Sequence, residues 1–164
     1  MRQLTGFRIN RSGAVDSYIF EWVNKNDAGA MESYTYKGIE PPRPELLTAA
    51  DNIALISAKM VSLSLTEKDV MDGGCFYGLK MEYPVDADYY KLQIKASVQI
   101  PWGYTFKYET PNWRVWYSNT KGDFNNTIKG AMQKLMQECW KYIDGERAQT
   151  KLAFTKQETE DEEE

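Results

Sequence analysis

The chain of 164 residues has no histidine and only two cysteines, Cys75 and Cys139. Without an imidazole, the commonest general base at neutral pH is gone, and Ser/His/Asp and Cys/His catalysis go with it. Two cysteines make neither a disulfide scaffold nor a four-ligand zinc site, so two reduced thiols behaving as small hydrophobes are expected. No stretch approaches the ~20 apolar residues of a membrane span. The segment Met1 to Arg8 also lacks the apolar core of a signal peptide. The expected setting is therefore a reducing cytoplasm, with no membrane partner. A phosphate-cradling loop is missing too, because Asp72-Gly73-Gly74-Cys75 is followed by neither a lysine nor a helix pattern. Neither a catalytic constellation nor a cofactor is expected.

What the chain does hold is aromatic. Five Trp, eleven Tyr and six Phe sit within a composition that is 42% hydrophobic, ample for a core that needs no metal or disulfide. The net charge of −4 comes from the end of the chain, where residues 158–164 carry six acids, leaving 20 basic against 18 acidic residues elsewhere. A single domain over residues 1–148 and a flexible tail over 149–164 follow from that shift in composition.

Leu4–Asn10 and Val15–Val23 read as a hairpin around Gly13, and Met31–Lys37 as a third strand. Pro41-Pro42-Arg43-Pro44 cannot lie inside a helix, but Pro44 can open one, with Glu45 beside the positive end of the helix dipole. The apolar spacing of Leu47, Ala50, Ala54, Ala58, Val61 and Leu65, widened by Leu46, Ile53 and Met60, predicts a helix over about Pro44–Leu63. Cys75–Tyr83 reads as strand. Leu92, Ile94, Ala96, Val98 and Ile100 alternate with Lys91, Gln93, Lys95, Ser97 and Gln99, the period-2 pattern of a strand with one wet face. Thr105–Glu109 and Trp113–Ser118 read as two short strands broken at Pro111. A second helix, capped by Asp123 or Asn125, runs to about Gly145 with Ile128, Met132, Leu135, Cys139 and Tyr142 on its apolar side. The fold class expected is α+β: an antiparallel sheet of about five to six strands with two helices on one face.

Three constellations bear on function. Glu82, Asp86 and Asp88 could supply oxygen ligands to a cation, but without a ligand ladder they read as a solvated turn, and no metal is expected. The wet face of Lys91, Gln93 and Lys95, joined by Lys107 and Arg114 and by Trp102, Tyr104 or Trp116, would set cations beside rings. That combination suits single-stranded DNA, with rings stacking on bases and cations meeting phosphates; alternating lysines also simply keep a bare sheet soluble. Gln149, Leu152 and Phe154 form a Gln-x-x-Leu-x-Phe string similar to the peptides that dock replication proteins onto a sliding clamp, unless Leu152 and Phe154 pack on the body instead. The acidic run reads as a solubilising tail or as a competitor for a basic face. The competing expectation for the whole chain is a protein-interaction module, homodimeric or structural, with no nucleic-acid role.

The segment Gly38-Ile39-Glu40-Pro41-Pro42-Arg43-Pro44-Glu45-Leu46-Leu47, followed by an amphipathic helix and paired strands, resembles a family of small uncharacterised bacteriophage and prophage proteins. The resemblance implies an accessory protein of a phage or mobile element, in the cytoplasm of the bacterial host, and favours DNA-related work. Joined to the wet face of β5, it gives the expectation of a non-enzymatic protein acting in replication or recombination. It covers a Pro-rich helix start and names no functional residue.

Overall fold

A computed structural model describes residues 1–61, 75–99 and 104–147. Strands β1 (Arg2–Asn10), β2 (Ser17–Lys25) and β3 (Met31–Gly38) form a meander, and helix α1 (Pro44–Met60) crosses from it to β4 (Cys75–Glu82). Strands β5 (Tyr89–Gln99), β6 (Thr105–Glu109) and β7 (Trp113–Trp116) follow, and helix α2 (Asp123–Ile143) closes the order. Every ladder is antiparallel, and the strands lie in the order β3-β2-β1-β4-β5-β6 with β7 also on β5. The expected α+β architecture is the one observed.

Strands β6 and β7 are two halves of one broken strand. Residues 105–109 pair with 95–99 of β5, and residues 113–116 pair with 89–92. At the break Pro111 offers no N–H, and Thr110 takes over the pairing. Its Oγ1 accepts the Ile94 N–H at 2.9 Å, and its own N–H donates to Ile94 O at 2.9 Å. Among the described residues six ribbons thus carry seven strand segments, and across the break the buried Thr110 and Ile94 keep their backbone partners.

The period-2 pattern of β5 sorts as the sequence implies from Lys91 to Lys95, but Ser97, expected on the wet face, is buried at 1% exposure. Leu92, Ile94, Ala96 and Val98 are buried. All but Val98 join one core with Phe7, Phe20, Phe76 and Leu79 of the neighbouring strands and with Leu46, Ala50 and Ile53 of α1 and Ile128, Met132 and Leu135 of α2. Both described helices therefore cover the same side of the sheet. Helix α1 turns slightly from the expected stripe: Leu46, Ala50, Ile53 and Ser57 are fully buried, whereas Leu47 is only half-buried. Pro44 opens it as expected, behind an extended Arg43 at φ −57° and ψ 145°. The Glu45 carboxyl is held below its ordinary range by its backbone hydrogen bond at the helix start and by Arg43. Residues 62 and 63, expected at its end, lie outside the described residues.

The second helix departs from its expected cap. Gly122 holds the cap position at φ 99° with no side-chain cap bond, and Asp123 is the first helical residue. Asn125 is buried and does other work, described below. At the far end Tyr142 stacks on Phe20 at 4.9 Å, and its hydroxyl donates to Glu40 O at 2.7 Å. Arg147 lies 3.6 Å over the Tyr142 ring, and its Nη2 donates to the Tyr36 hydroxyl at 2.8 Å. This clasp ties α2 to β3 and to the Pro-rich segment. Gly38 makes room for it: a Cβ there would meet Tyr142 ring atoms at 2.8 and 2.9 Å. The ring, held by its hydrogen bond, cannot swing away.

Two outcomes are expected. Gly38→Ala overpacks this corner by about 1–3 kcal/mol, a fall in Tm of roughly 3–10 °C readable by calorimetry. Burial pushes the Tyr142 phenol up from 10.0 to about 12, against the opposing Arg147, and raises Tyr83 and Tyr90 as well. The folded state then holds protons that the unfolded chain has lost, so stability is full below the unfolded value of 10.0 and falls as pH rises from there toward about 12. Urea midpoints taken at rising alkaline pH check this, and a flat profile contradicts it.

Candidate nucleic-acid interface on the outer sheet face

The ladder registers place the outward side chains in rows. Lys91 of β5 stands opposite Arg114 of β7 and Glu82 of β4; Lys95 stands opposite Glu109 of β6 and Gly78 of β4. Gly78 in turn pairs with Arg8, which pairs with Ile19. Lys107 faces Ser97, and Trp116 faces Tyr89. Lys91, Gln93, Lys95, Lys107, Arg114 and Trp116 thus share one side, opposite both helices. The side chains remain accessible, 36% for Lys91 and 53% for Lys95.

Each lysine of β5 has a loose acidic neighbour. Lys91 Nζ lies 3.5 Å from Glu82, and Lys95 Nζ 3.9 Å from Glu109; Arg8 lies 3.8 Å from Glu21. Exposed pairs of this kind are worth about 0–1 kcal/mol, so another anion can displace the carboxylate at small cost. Among the described residues near the middle of the face, Arg8, Lys80, Lys91, Lys95, Lys107 and Arg114 stand with the carboxylates Glu21, Glu82 and Glu109.

Rings gather at two corners. At one, Tyr89 and Trp116 pack with centroids 4.9 Å apart; Arg114 lies 5.0 Å over Tyr89, and Lys121 4.5 Å over Trp116. At the other, Tyr77 carries Lys107 at 5.1 Å and Arg11 at 5.8 Å. Arg11 is held there by donating to Phe76 O. Tyr77 is the extra residue of a β-bulge between Phe76 and Gly78, and bulges re-aim side chains in this way.

Asn125 builds the first corner from below. Its Oδ1 accepts the Trp116 N–H at 2.8 Å, and its Nδ2 donates to Trp116 O at 3.1 Å and Ser118 O at 3.4 Å. The side chain thereby substitutes for a neighbouring strand and fixes the backbone of Trp116 to the start of α2. From the Tyr77 corner three depressions, of about 420, 350 and 360 Å³, run across the face as far as Lys91 and Glu82. The first two share Tyr77 and Lys95, and the last two share Glu21, Lys80 and Gln93. Together they make one trough across the outer face.

Of the residues singled out from sequence, Trp102 lies outside the described residues, as do Gln149, Leu152, Phe154 and the acidic run. Tyr104 is 71% exposed and precedes β6 without joining the ladder. Tyr77, Tyr89, Arg8 and Lys80 were not singled out. Tyr89 was within reach, because it extends the odd-numbered outward row of β5 by one step. Tyr77 was not, since its side depends on the bulge, and Arg8 and Lys80 come to the face through pairing between distant strands.

The alternatives on the same chain are less developed. Among the described residues no three of Asp, Glu or Cys come close enough to hold a metal ion; Glu82 lies beside Lys91, and Asp86 occupies a turn at φ 56°. Cys75 is half-buried, and burial pushes its thiol up, away from the reactive thiolate. Cys139 is fully buried and raised for the same reason. No described helix is long and apolar enough to cross a membrane. Comparison with protein-family models, curated proteins and solved structures gives no match to this chain.

Asn125→Ala should strand the Trp116 N–H beneath the sheet edge, a loss of about 1–3 kcal/mol. The same change should blue- or red-shift and broaden the tryptophan emission as Trp116 loosens from Tyr89. A variant matching the parent in both melting and emission would show that Asn125 does not hold this corner.

Proposed function

We propose that the outer sheet face binds single-stranded DNA, and that the chain is a non-enzymatic accessory protein of phage or mobile-element type acting in replication or recombination. The observation that supports this reading most is the convergence of Lys91, Lys95, Lys107, Arg114 and Trp116 on the side opposite both helices. Cations spaced along a strand meet successive phosphates, and rings at the ends of the row stack on bases whatever their identity. The weak carboxylate partners leave those cations available for exchange.

Anisotropy of a labelled oligothymidylate at low salt tests it, since phosphate contacts are strongest there. Lys91→Ala, Lys95→Ala, Lys107→Ala and Arg114→Ala should each weaken binding and lower the slope of log affinity against log salt by about 0.7. Lys134→Ala, an exposed cation of α2, should do neither. No binding at low salt, or an equal loss from Lys134→Ala, removes the proposal.

Strand β3 favours the competing reading, a protein-interaction module. Among the described residues it is an open edge of eight residues with Met31 and Tyr34 exposed, and such edges accept a further strand. Light scattering that finds a dimer, broken by a proline at Thr35 with DNA affinity intact, would support it.

A further inference from the structure

We infer that the trough holds a single strand lengthwise along β5 between two aromatic stations, Tyr77 at one end and the Tyr89–Trp116 pair at the other. The site therefore has a minimum ligand length and excludes duplex. This rests on the polynucleotide reading above. The stations lie about six to seven residues apart along β5, because Tyr77 is the bulged residue opposite Lys95 and Ala96 while Trp116 pairs with Tyr89. At ~3.3 Å per strand residue the separation is roughly 20 Å.

Two independent observations converge on this path. The first is the pair of ring clusters, each with its own cations: Lys107 and Arg11 over Tyr77, Arg114 and Lys121 over Tyr89 and Trp116. A ring that already attracts cations sets phosphate-binding charge beside a stacking surface. The second is the chain of depressions that leads from Tyr77 through Lys95, Lys80 and Gln93 as far as Lys91, whose partner Arg114 lies over Tyr89 of the second station. Gln93 donates one amide hydrogen to Thr110 O at 3.2 Å, which steadies it and leaves its carbonyl oxygen for a base edge. The middle of the trough is kept open by Gly78, which puts no side chain on its floor and where a Cβ would meet Arg8 Cβ at 2.9 Å.

A strand at stacked spacing of ~3.4 Å per nucleotide covers this distance with about seven nucleotides, and an unstacked strand with fewer. In a duplex the base faces are already stacked on one another, so neither ring station can be used. Both ends of a single strand must be engaged for full affinity, which makes the second contact intramolecular.

The full chain would be titrated with oligothymidylates of increasing length and with a duplex of the same composition. A steep rise in affinity is expected between about three and seven nucleotides, with only a slow gain beyond, and duplex should bind at least tenfold more weakly. Tyr77→Leu and Trp116→Leu should each cost about tenfold on the long oligomers and nothing on the shortest, with circular dichroism confirming the fold. Photo-crosslinking on the unaltered chain avoids any folding loss: a seven-nucleotide strand with 5-iodouracil at one end or the other should mark Tyr77 from one and Tyr89 or Trp116 from the other. A smooth rise with length, or both ends marking one station, overturns this inference while leaving the single-strand reading standing. No binding at any length ends both.

Discussion

The structure depends on the burial of one row of side chains, the even-numbered residues of β5. Leu92, Ile94, Ala96 and Val98 are at most 1% exposed, and all but Val98 pack in one cluster with both helices and with strands from the other half of the sheet. A fully buried aliphatic side chain contributes ~1.5–3 kcal/mol, so a slip of one residue would cost the whole row at once. The outer face follows from this constraint. Because the pleat is strictly two-sided, anchoring the even residues commits Tyr89, Lys91, Gln93 and Lys95 to the opposite side.

Local irregularities then give the face its shape. The bulge at Tyr77 inserts a residue that has no partner and turns a ring outward. A second bulge, between Leu4 and Gly6, puts Gly6 beneath Glu21, whose Oε2 would lie 2.7 Å from any Cβ there. The break at Thr110–Asn112 lets one edge carry two strand segments. Each of these departs from regular pleating, yet backbone partners are kept through Thr110 and Asn125. The side chains act as stand-ins for the missing strand.

The electrostatics divide along the same line. Away from the outer face, some charge pairs fasten separate elements at close range: Arg2 grips Asp144 at 2.7 and 2.9 Å, and the largely buried Arg147 meets Glu40 at 2.9 Å. On the outer face the pairs are longer and exposed, from 3.5 to 3.9 Å. A close, partly buried pair resists exchange, whereas a loose solvated one yields to a competing anion.

The helix start at Pro44, the hairpins, the two-sided β5 and the break at Pro111 were legible in the sequence, because each rests on a local property: fixed proline φ, a missing N–H, or side-chain period. The shared side of Lys91, Gln93 and Lys95 was legible for the same reason. That Lys107, Arg114 and Trp116 join them was decided only by register between strands, and the outward turn of Tyr77 only by a bulge. Asn125 illustrates the limit well: its position near the start of a helix suits a cap, but it falls in the first turn, and a strand edge needing hydrogen bonds claims its amide instead. Sequence determined which side chains alternate; the tertiary structure decided which alternations meet, since strand pairing is fixed by nonlocal burial and not by neighbours along the chain.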